Sequence, residues 1–207
     1  MPTVRPEVLT PGPSLVGVTL GGLVGAVGVL GLLYALPVIG TQPIDVPGAL
    51  GGVVTSNARA AFWIGAAIFL LVAIIVWPAA TTAAWPMLPG SNVGFMGAAQ
   101  KGIVAGAAIW IVSGVALGVA SWLTRAVFAN APGLFALNAG LAGALSLFVA
   151  CVLHGLAIAL VGAMEAAVST FELLGWTHYY HAAGGPRVLG AHRSPPEDLL
   201  QELGGGV

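Results

Sequence analysis

The sequence predicts an all-α polytopic membrane protein: four transmembrane helices in a bundle, with a long fourth helix and a polar C-terminal tail. Of 207 residues, 58% are hydrophobic and 6% are charged, whereas roughly a quarter of a soluble domain is charged. The mean hydropathy is +0.99. We expect a proline-rich leader at 1–13, a transmembrane domain at 14–175 and a glycine- and proline-rich tail at 176–207.

Four apolar runs are long enough to cross a hydrocarbon core of about 30 Å, which needs around 20 residues at 1.5 Å each. They cover Ser14–Ile39, Ala60–Ala80, Gly102–Thr124 and a final run that starts near Gly133. The first run is too long for the core of a cleaved signal peptide. Turn residues fill the connections TQPIDVPGALGGVVTS, WPMLPG and NAPG, which predicts three short loops.

The basic residues favour an orientation with both termini in the cytoplasm. In that orientation the inside would hold Arg5, Lys101, Arg187 and Arg193, and the outside Arg59 and Arg125. Cytoplasmic segments of membrane proteins carry the excess of Lys and Arg. The sequence therefore predicts an N-in, C-in protein.

Composition excludes several classes of function. A formal net charge of −1 leaves no basic surface for nucleic acid. The single cysteine, Cys151, excludes an internal disulfide. His178 and His181 of the tail lack thiolate or carboxylate partners for a metal. We therefore assign no catalytic, cofactor-binding or metal-binding residue, and expect this chain alone to bind only lipid.

Glycines recur at intervals of four residues, which places them on one face of a helix. Small residues allow close helix packing in lipid. The predicted packing residues are Gly17, Gly21 and Gly25 in the first span, and Gly102, Gly106, Gly114 and Gly118 in the third.

Two Trp-Pro pairs, Trp77-Pro78 and Trp85-Pro86, end or follow the second apolar run. Tryptophan is enriched at the membrane interface, and proline disfavours helix before it. We interpret both pairs as an interfacial anchor followed by a helix end. Recognition of a quinone or a lipid tail is the alternative.

The fourth apolar run, Leu134–Leu174, has no proline and would make a helix of about 60 Å, twice the hydrocarbon thickness. The simplest registry places the bilayer between Gly133 and Leu153, which makes His154 a boundary residue. A second registry, Ala142–Gly162, places His154 at the midplane.

In either registry, three polar residues, His154, Glu165 and Glu172, share one face of this helix, because eleven and eighteen residues at 100° each return to nearly the same angle. Apolar side chains occupy the other faces, and in water they would need a partner. We interpret the polar stripe as a docking edge for another subunit.

The segments QPIDVPGALGG and KGIVAGAAIWIVSGVALG, at 42–52 and 101–118, resemble the first loop and third helix of a group of small four-helix membrane proteins of bacteria and archaea. His154 matches a fourth-helix histidine of that group. The group's second-helix histidine has no counterpart in AAFWIGAAIFLLV. The resemblance covers roughly 14–162 and implies the plasma membrane of a prokaryote.

This resemblance implies an accessory subunit of a respiratory complex such as a heme-copper oxidase, with heme or copper in the partner subunits. The expected function is therefore a non-catalytic subunit that packs through its glycine faces and its fourth helix against other membrane subunits. Two alternatives remain: a homo-oligomeric channel or carrier built on the glycine faces, and a quinone-binding membrane protein.

Overall fold

The computed structural model describes residues 13–35, 44–91, 94–124 and 131–182. Within these ranges, four apolar helical stretches can cross a membrane: Leu15–Ala35, Ala58–Ala84, Phe95–Thr124 and Leu134–Ala166. Every element of regular structure in the described ranges is helical. The predicted fold class, a four-span all-α membrane protein, is confirmed.

Six α-helices, one π-helical turn and one 3₁₀ segment make up these spans and their connections. In chain order they are α1 (Leu15–Ala35), α2 (Val46–Gly52), α3 (Ala58–Leu71), the π turn (Val72–Val76), α4 (Trp77–Ala84), α5 (Gly94–Thr124), the 3₁₀ segment (Leu134–Ala139) and α6 (Gly140–Ala182).

The first connection, predicted as a loop, contains the short helix α2. Asp45 caps its N-terminus by accepting a hydrogen bond from the N–H of Gly48 at 2.8 Å, and a proline in its first turn suits the helix start. Most of α2 is buried, and Gly51 packs directly against Ala61 of α3. The segment returns into the bundle and belongs to the core.

The second span is interrupted by the π turn just before Trp77-Pro78. The N–H of Trp77 bonds the carbonyl of Val72, five residues back, and Pro78 is buried in the next turn. The expectation that this pair ends the helix is wrong, because the π register accommodates a residue without an N–H in mid-span. The other pair follows a helix end as expected, since α4 ends at Ala84, before Trp85-Pro86.

Lys101 lies within α5, because this helix starts at Gly94, eight residues before the predicted start. Its side chain is 1% exposed. Its ammonium donates hydrogen bonds to the carbonyls of Trp85 at 2.7 Å and Leu88 at 2.9 Å and lies over the Trp85 ring. Lys101 thus joins α5 to the segment that follows α4, and it lies within a helix although it precedes the predicted third span by one residue.

The fourth span begins with a non-helical entry. Phe135 and Ala136 adopt left-handed conformations, with φ of 52° and 59°, and glycines with positive φ flank the segment at Gly133 and Gly140. The N–H of Gly133 donates to the Ser121 hydroxyl at 2.9 Å, which ties the entry to α5. The regular helix therefore starts at Gly140, seven residues after the predicted start.

Helix α6 contains 43 residues and is about 64 Å long at 1.5 Å per residue. The chain forms two compact units, and the first of them ends at Val168. Residues 1–12 of the leader, most of the tail, and the basic residues Arg5, Arg125, Arg187 and Arg193 lie outside the described residues.

Candidate functional site

The glycine face of α1 and the polar stripe of α6 are the two sides of one interface. A β-carbon added at Gly17 would lie 2.8 Å from Cβ of Glu165, and one at Gly25 would lie 3.1 Å from Cα of His154. Between them, a β-carbon at Gly21 would lie 2.7 Å from Cα of Ile158. The helices are therefore antiparallel, and the missing side chains allow their backbones to approach.

The predicted packing glycines of α5 also face this chain. Gly102 and Gly106 pack against α6, with an added β-carbon 2.9 Å from Cα of Leu156 and 2.6 Å from Cα of Val152. Gly114 and Gly118 leave room for Phe135 and Leu134 of the 3₁₀ segment. All seven predicted packing glycines thus contact elements of the same chain.

The three residues of the proposed docking stripe differ in their surroundings. His154 is 3% exposed and buried inside the bundle, so it does not contribute to an external docking edge. Glu165 is half-buried, with its stem against Gly17 of α1. Glu172 lies in α6, and its side chain is outside the described residues. Within the described bundle, His154 and Glu165 of the stripe face inward, because the glycines of α1 leave room for them.

His154 is level with the middle of two of the other spans, and along α5 it is level with a point between Gly102 and Gly106, nearer the start of that helix. It packs against Gly25, the central residue of α1, and lies beside Ala73, two residues from the centre of Ala58–Ala84. This arrangement agrees with the second registry, Ala142–Gly162, in which His154 lies at the midplane. The boundary registry required His154 to be level with the ends of the neighbouring helices.

A cavity of about 300 Å³ lies next to His154. Its walls come from every span and from α2, and they are almost entirely aliphatic or aromatic. The polar lining groups are the imidazole of His154, the thiol of Cys151 and the hydroxyl of Ser113. The lining includes Val29, Leu33, Val46, Leu50, Ile68, Phe69, Val72, Val76, Trp77, Ile109, Val112, Ala116, Leu117 and Leu147.

The carbonyl of Ala73, which lies beside His154, is not bonded as a helix carbonyl normally is. In an α-helix the carbonyl of Ala73 would accept from the N–H of Trp77, but that N–H bonds Val72. In the π register it would accept from residue 78, which is proline and has no N–H. The Ala73 carbonyl therefore lacks both helical donors, and Gly22 on α1 provides the space that it occupies.

The imidazole of His154 lies beside the backbone of Gly25 and Ala73. Neither ring nitrogen, however, forms a hydrogen bond of acceptable geometry. Buried polar side-chain atoms almost always have such a partner. The imidazole thus packs against the backbone of α1 and of the π turn, at the edge of the apolar cavity in mid-bundle.

Sequence reasoning identified His154 but missed the cavity around it. The position of Pro78 within an apolar run was the signal for the π turn. Nothing local in the sequence indicates that Ser113 and Cys151 line the same cavity, because they come from different helices. In the described part of the chain, no group of three or more His, Cys, Asp or Glu side chains could hold a metal ion.

No family model, no curated protein and no solved structure matches this chain.

Proposed function

We propose that this protein is a non-catalytic accessory subunit of a larger membrane complex. The observation that supports the proposal is the length of α6. At about 64 Å it is twice as long as a hydrocarbon core of about 30 Å. The last part of its sequence, from Ala166 to Leu174, is still largely apolar. Apolar helix surface that the bilayer does not cover needs a protein partner or an interfacial location.

The use of the glycine faces within the chain argues against the homo-oligomeric channel. That alternative needed the α1 and α5 glycines to contact neighbouring copies, but they contact α6 and the 3₁₀ segment. The same contacts also change the subunit proposal. The glycine faces are already covered within this chain, so they cannot bind a partner subunit. We therefore assign the docking surface to α6. A respiratory complex, with heme or copper in its other subunits, remains the kind of complex that the sequence resemblance implies.

Purification of the full chain from native membranes in a mild detergent, followed by mass spectrometry, tests the proposal. We expect partner chains in stoichiometric amounts, and a heme absorption spectrum that is carried by the partners and absent from the isolated chain. A homogeneous preparation without any other chain would contradict the proposal.

Two substitutions in α6, one near its start and one 23 residues further along, locate the docking surface. Met164 and Leu141 are 62% and 72% exposed, and both lie near an end of the bundle. Met164→Asn should reduce the recovery of partner chains several-fold, because Met164 is next to the part of α6 that exceeds the bilayer. Leu141→Asn is the matched control and should leave recovery unchanged. Equal recovery with both variants would remove α6 as the docking element.

A further inference from the structure

The second span has a broken hydrogen-bond ladder where it passes His154. In the π turn the N–H of Trp77 bonds Val72, and Pro78 has no N–H, so the Ala73 carbonyl receives neither helical donor. An unpaired buried carbonyl typically lowers the folding equilibrium constant by about five- to a hundredfold. Prolines are tolerated in membrane spans because groups on neighbouring helices bond the carbonyls that they free. We therefore expect a donor from a neighbouring span at Ala73.

Two residues of other spans lie against this part of the π turn, and one of them carries a donor. The first is Gly22 of α1, where an added β-carbon would lie 2.7 Å from the Ala73 oxygen. Glycine has no side chain that can donate. The second is His154 of α6, whose imidazole faces the backbone of Gly25 and Ala73. A neutral imidazole carries one N–H and one acceptor nitrogen, so His154 offers the missing donor.

The position of the ring indicates which of its nitrogens is available. A β-carbon added at Gly25 would collide with Nδ1 of His154. Nδ1 therefore lies on the α1 side and leaves Nε2 for Ala73. Both nitrogens are fully buried without a bond of acceptable geometry, so solvent does not reach them. A protein group must supply the partner of the ring N–H.

Packing alone holds this part of the second span loosely. Val72, Ala73, Val76 and Trp77 line the apolar cavity, so no helix packs directly against that side of the turn. In the most apolar stretch of the second span 17% of the residues are buried, compared with 33–39% in the other three spans. A hydrogen bond to α6 would fix a segment that packing leaves loosely held.

We propose that His154 is an interhelical latch. Its Nε2–H donates to the Ala73 carbonyl in place of the N–H that Pro78 lacks, and this bond holds the π turn against α6. A small rotation of the ring aligns the donor with the carbonyl. Nδ1 stays unprotonated on the Gly25 side, and the ring stays neutral because a charge at this depth is costly. The latch needs only this chain, so it is independent of the subunit proposal.

A double-mutant cycle between His154 and Pro78 tests the latch, with the full chain unfolded by SDS in mixed micelles. His154→Leu removes the donor and should lower the folding equilibrium constant by about five- to a hundredfold. Pro78→Ala provides an N–H at residue 78, so Ala73 receives a helical donor in either the π or the α register. In that background the loss caused by His154→Leu should be about fivefold smaller or less.

Pro86→Ala is the matched control, because Pro86 is an exposed proline that follows the end of α4. Its effect and that of His154→Leu should add, since the two residues share no partner. His154→Gln keeps a side-chain N–H and should retain part of the stability that His154→Leu loses.

Hydrogen exchange measures the latch locally. His154→Leu should speed the exchange of the backbone amides between Val72 and Ala84 several-fold and leave those in the middle of α5 unchanged. His154→Gln should have a smaller effect on the same amides. Uniformly faster exchange in all spans would indicate a general loss of packing and would contradict a latch at the π turn.

Nitrogen-15 NMR of histidine-labelled protein observes the bond in the unsubstituted chain. We expect one hydrogen-bonded N–H on a neutral His154 ring that exchanges slowly with water, assigned by its loss in His154→Gln. A His154 ring without such an N–H would overturn the proposal, even where a variant fails to fold. So would a fully additive cycle between His154→Leu and Pro78→Ala, or a His154→Leu variant as stable as the native protein.

Discussion

At the scale of single residues, the contacts of a glycine show whether it packs against another helix. Its spacing along the sequence alone does not show this. A β-carbon added at Gly21 would meet the backbone of α6, while one added at Gly28, two turns further along the same helix, would have nothing within 4 Å. Both are glycines in one apolar helix. Only the first allows close approach of two backbones.

Substitution of these two glycines by alanine should have opposite effects. Gly21→Ala places a methyl group against the backbone of Ala157 and Ile158, and overpacking of this kind costs about 1–3 kcal/mol. Gly28→Ala meets no atoms and should be neutral or stabilise by up to about 1 kcal/mol through helix propensity. Unfolding in mixed micelles with increasing SDS measures both. Similar stabilities for the two variants would contradict the interface between α1 and α6.

Lys101 provides a second residue-scale prediction. Lys101→Met keeps the length of the side chain but leaves the carbonyls of Trp85 and Leu88 without their donor. We expect a loss of about 1–3 kcal/mol, the usual cost of buried unpaired groups. The neighbouring Gln100→Met, at an exposed position, is the control in the same unfolding assay. A Lys101→Met variant as stable as the control would show that these bonds contribute little.

At the scale of elements, the short helix α2 shows how a connection becomes part of the core. Asp45 accepts hydrogen bonds from the Gly48 N–H and from the Tyr34 hydroxyl, the latter at 2.7 Å. One carboxylate therefore caps α2 and attaches it to the end of α1. Val46 and Ala49 then contribute to the apolar core, and Val46 also lines the cavity.

A double-mutant cycle tests this attachment. Asp45→Ala removes the cap and should cost about 0.5–2 kcal/mol. Tyr34→Phe removes one hydrogen bond and should cost about 0.5–1.5 kcal/mol. In the Asp45→Ala background, Tyr34→Phe should have almost no further effect, because its acceptor is already gone. Fully additive losses would mean that the two side chains act separately.

At the scale of the whole molecule, the four spans place the connection before α3 and the connection after α4 on opposite sides of the membrane. Ser56 belongs to the first and Met87 to the second, and both are exposed. The N-in orientation places Ser56 outside and Met87 inside. The Lys101 ammonium bonds carbonyls on either side of Met87, so it lies on the same side of the bundle as this connection.

Cysteine labelling in intact cells determines the orientation. A membrane-impermeant maleimide should react with Ser56→Cys and spare Met87→Cys until the cells are opened. The native Cys151 is 5% exposed and lies within a span, so the unsubstituted protein serves as an unlabelled control. The reverse pattern of labelling would establish the opposite orientation.

The sequence alone determined the membrane class, the number of spans and the two helix faces that matter most. Hydropathy and run length suffice for the spans, because the thickness of the bilayer sets a local requirement on each run. Helical periodicity likewise suffices to show that Gly17, Gly21 and Gly25 share one face, and that His154 and Glu165 share another.

Only the tertiary structure decided that these two faces meet each other. Periodicity defines the face of a helix, but the partner of that face depends on contacts between residues more than a hundred positions apart. The same limitation applies to the mid-bundle level of His154, the π turn beside it and the cavity that it lines, since each arises where several helices converge. The sequence suggested that the polar stripe is an external docking edge. In the structure, its residue His154 is buried and lines an apolar cavity.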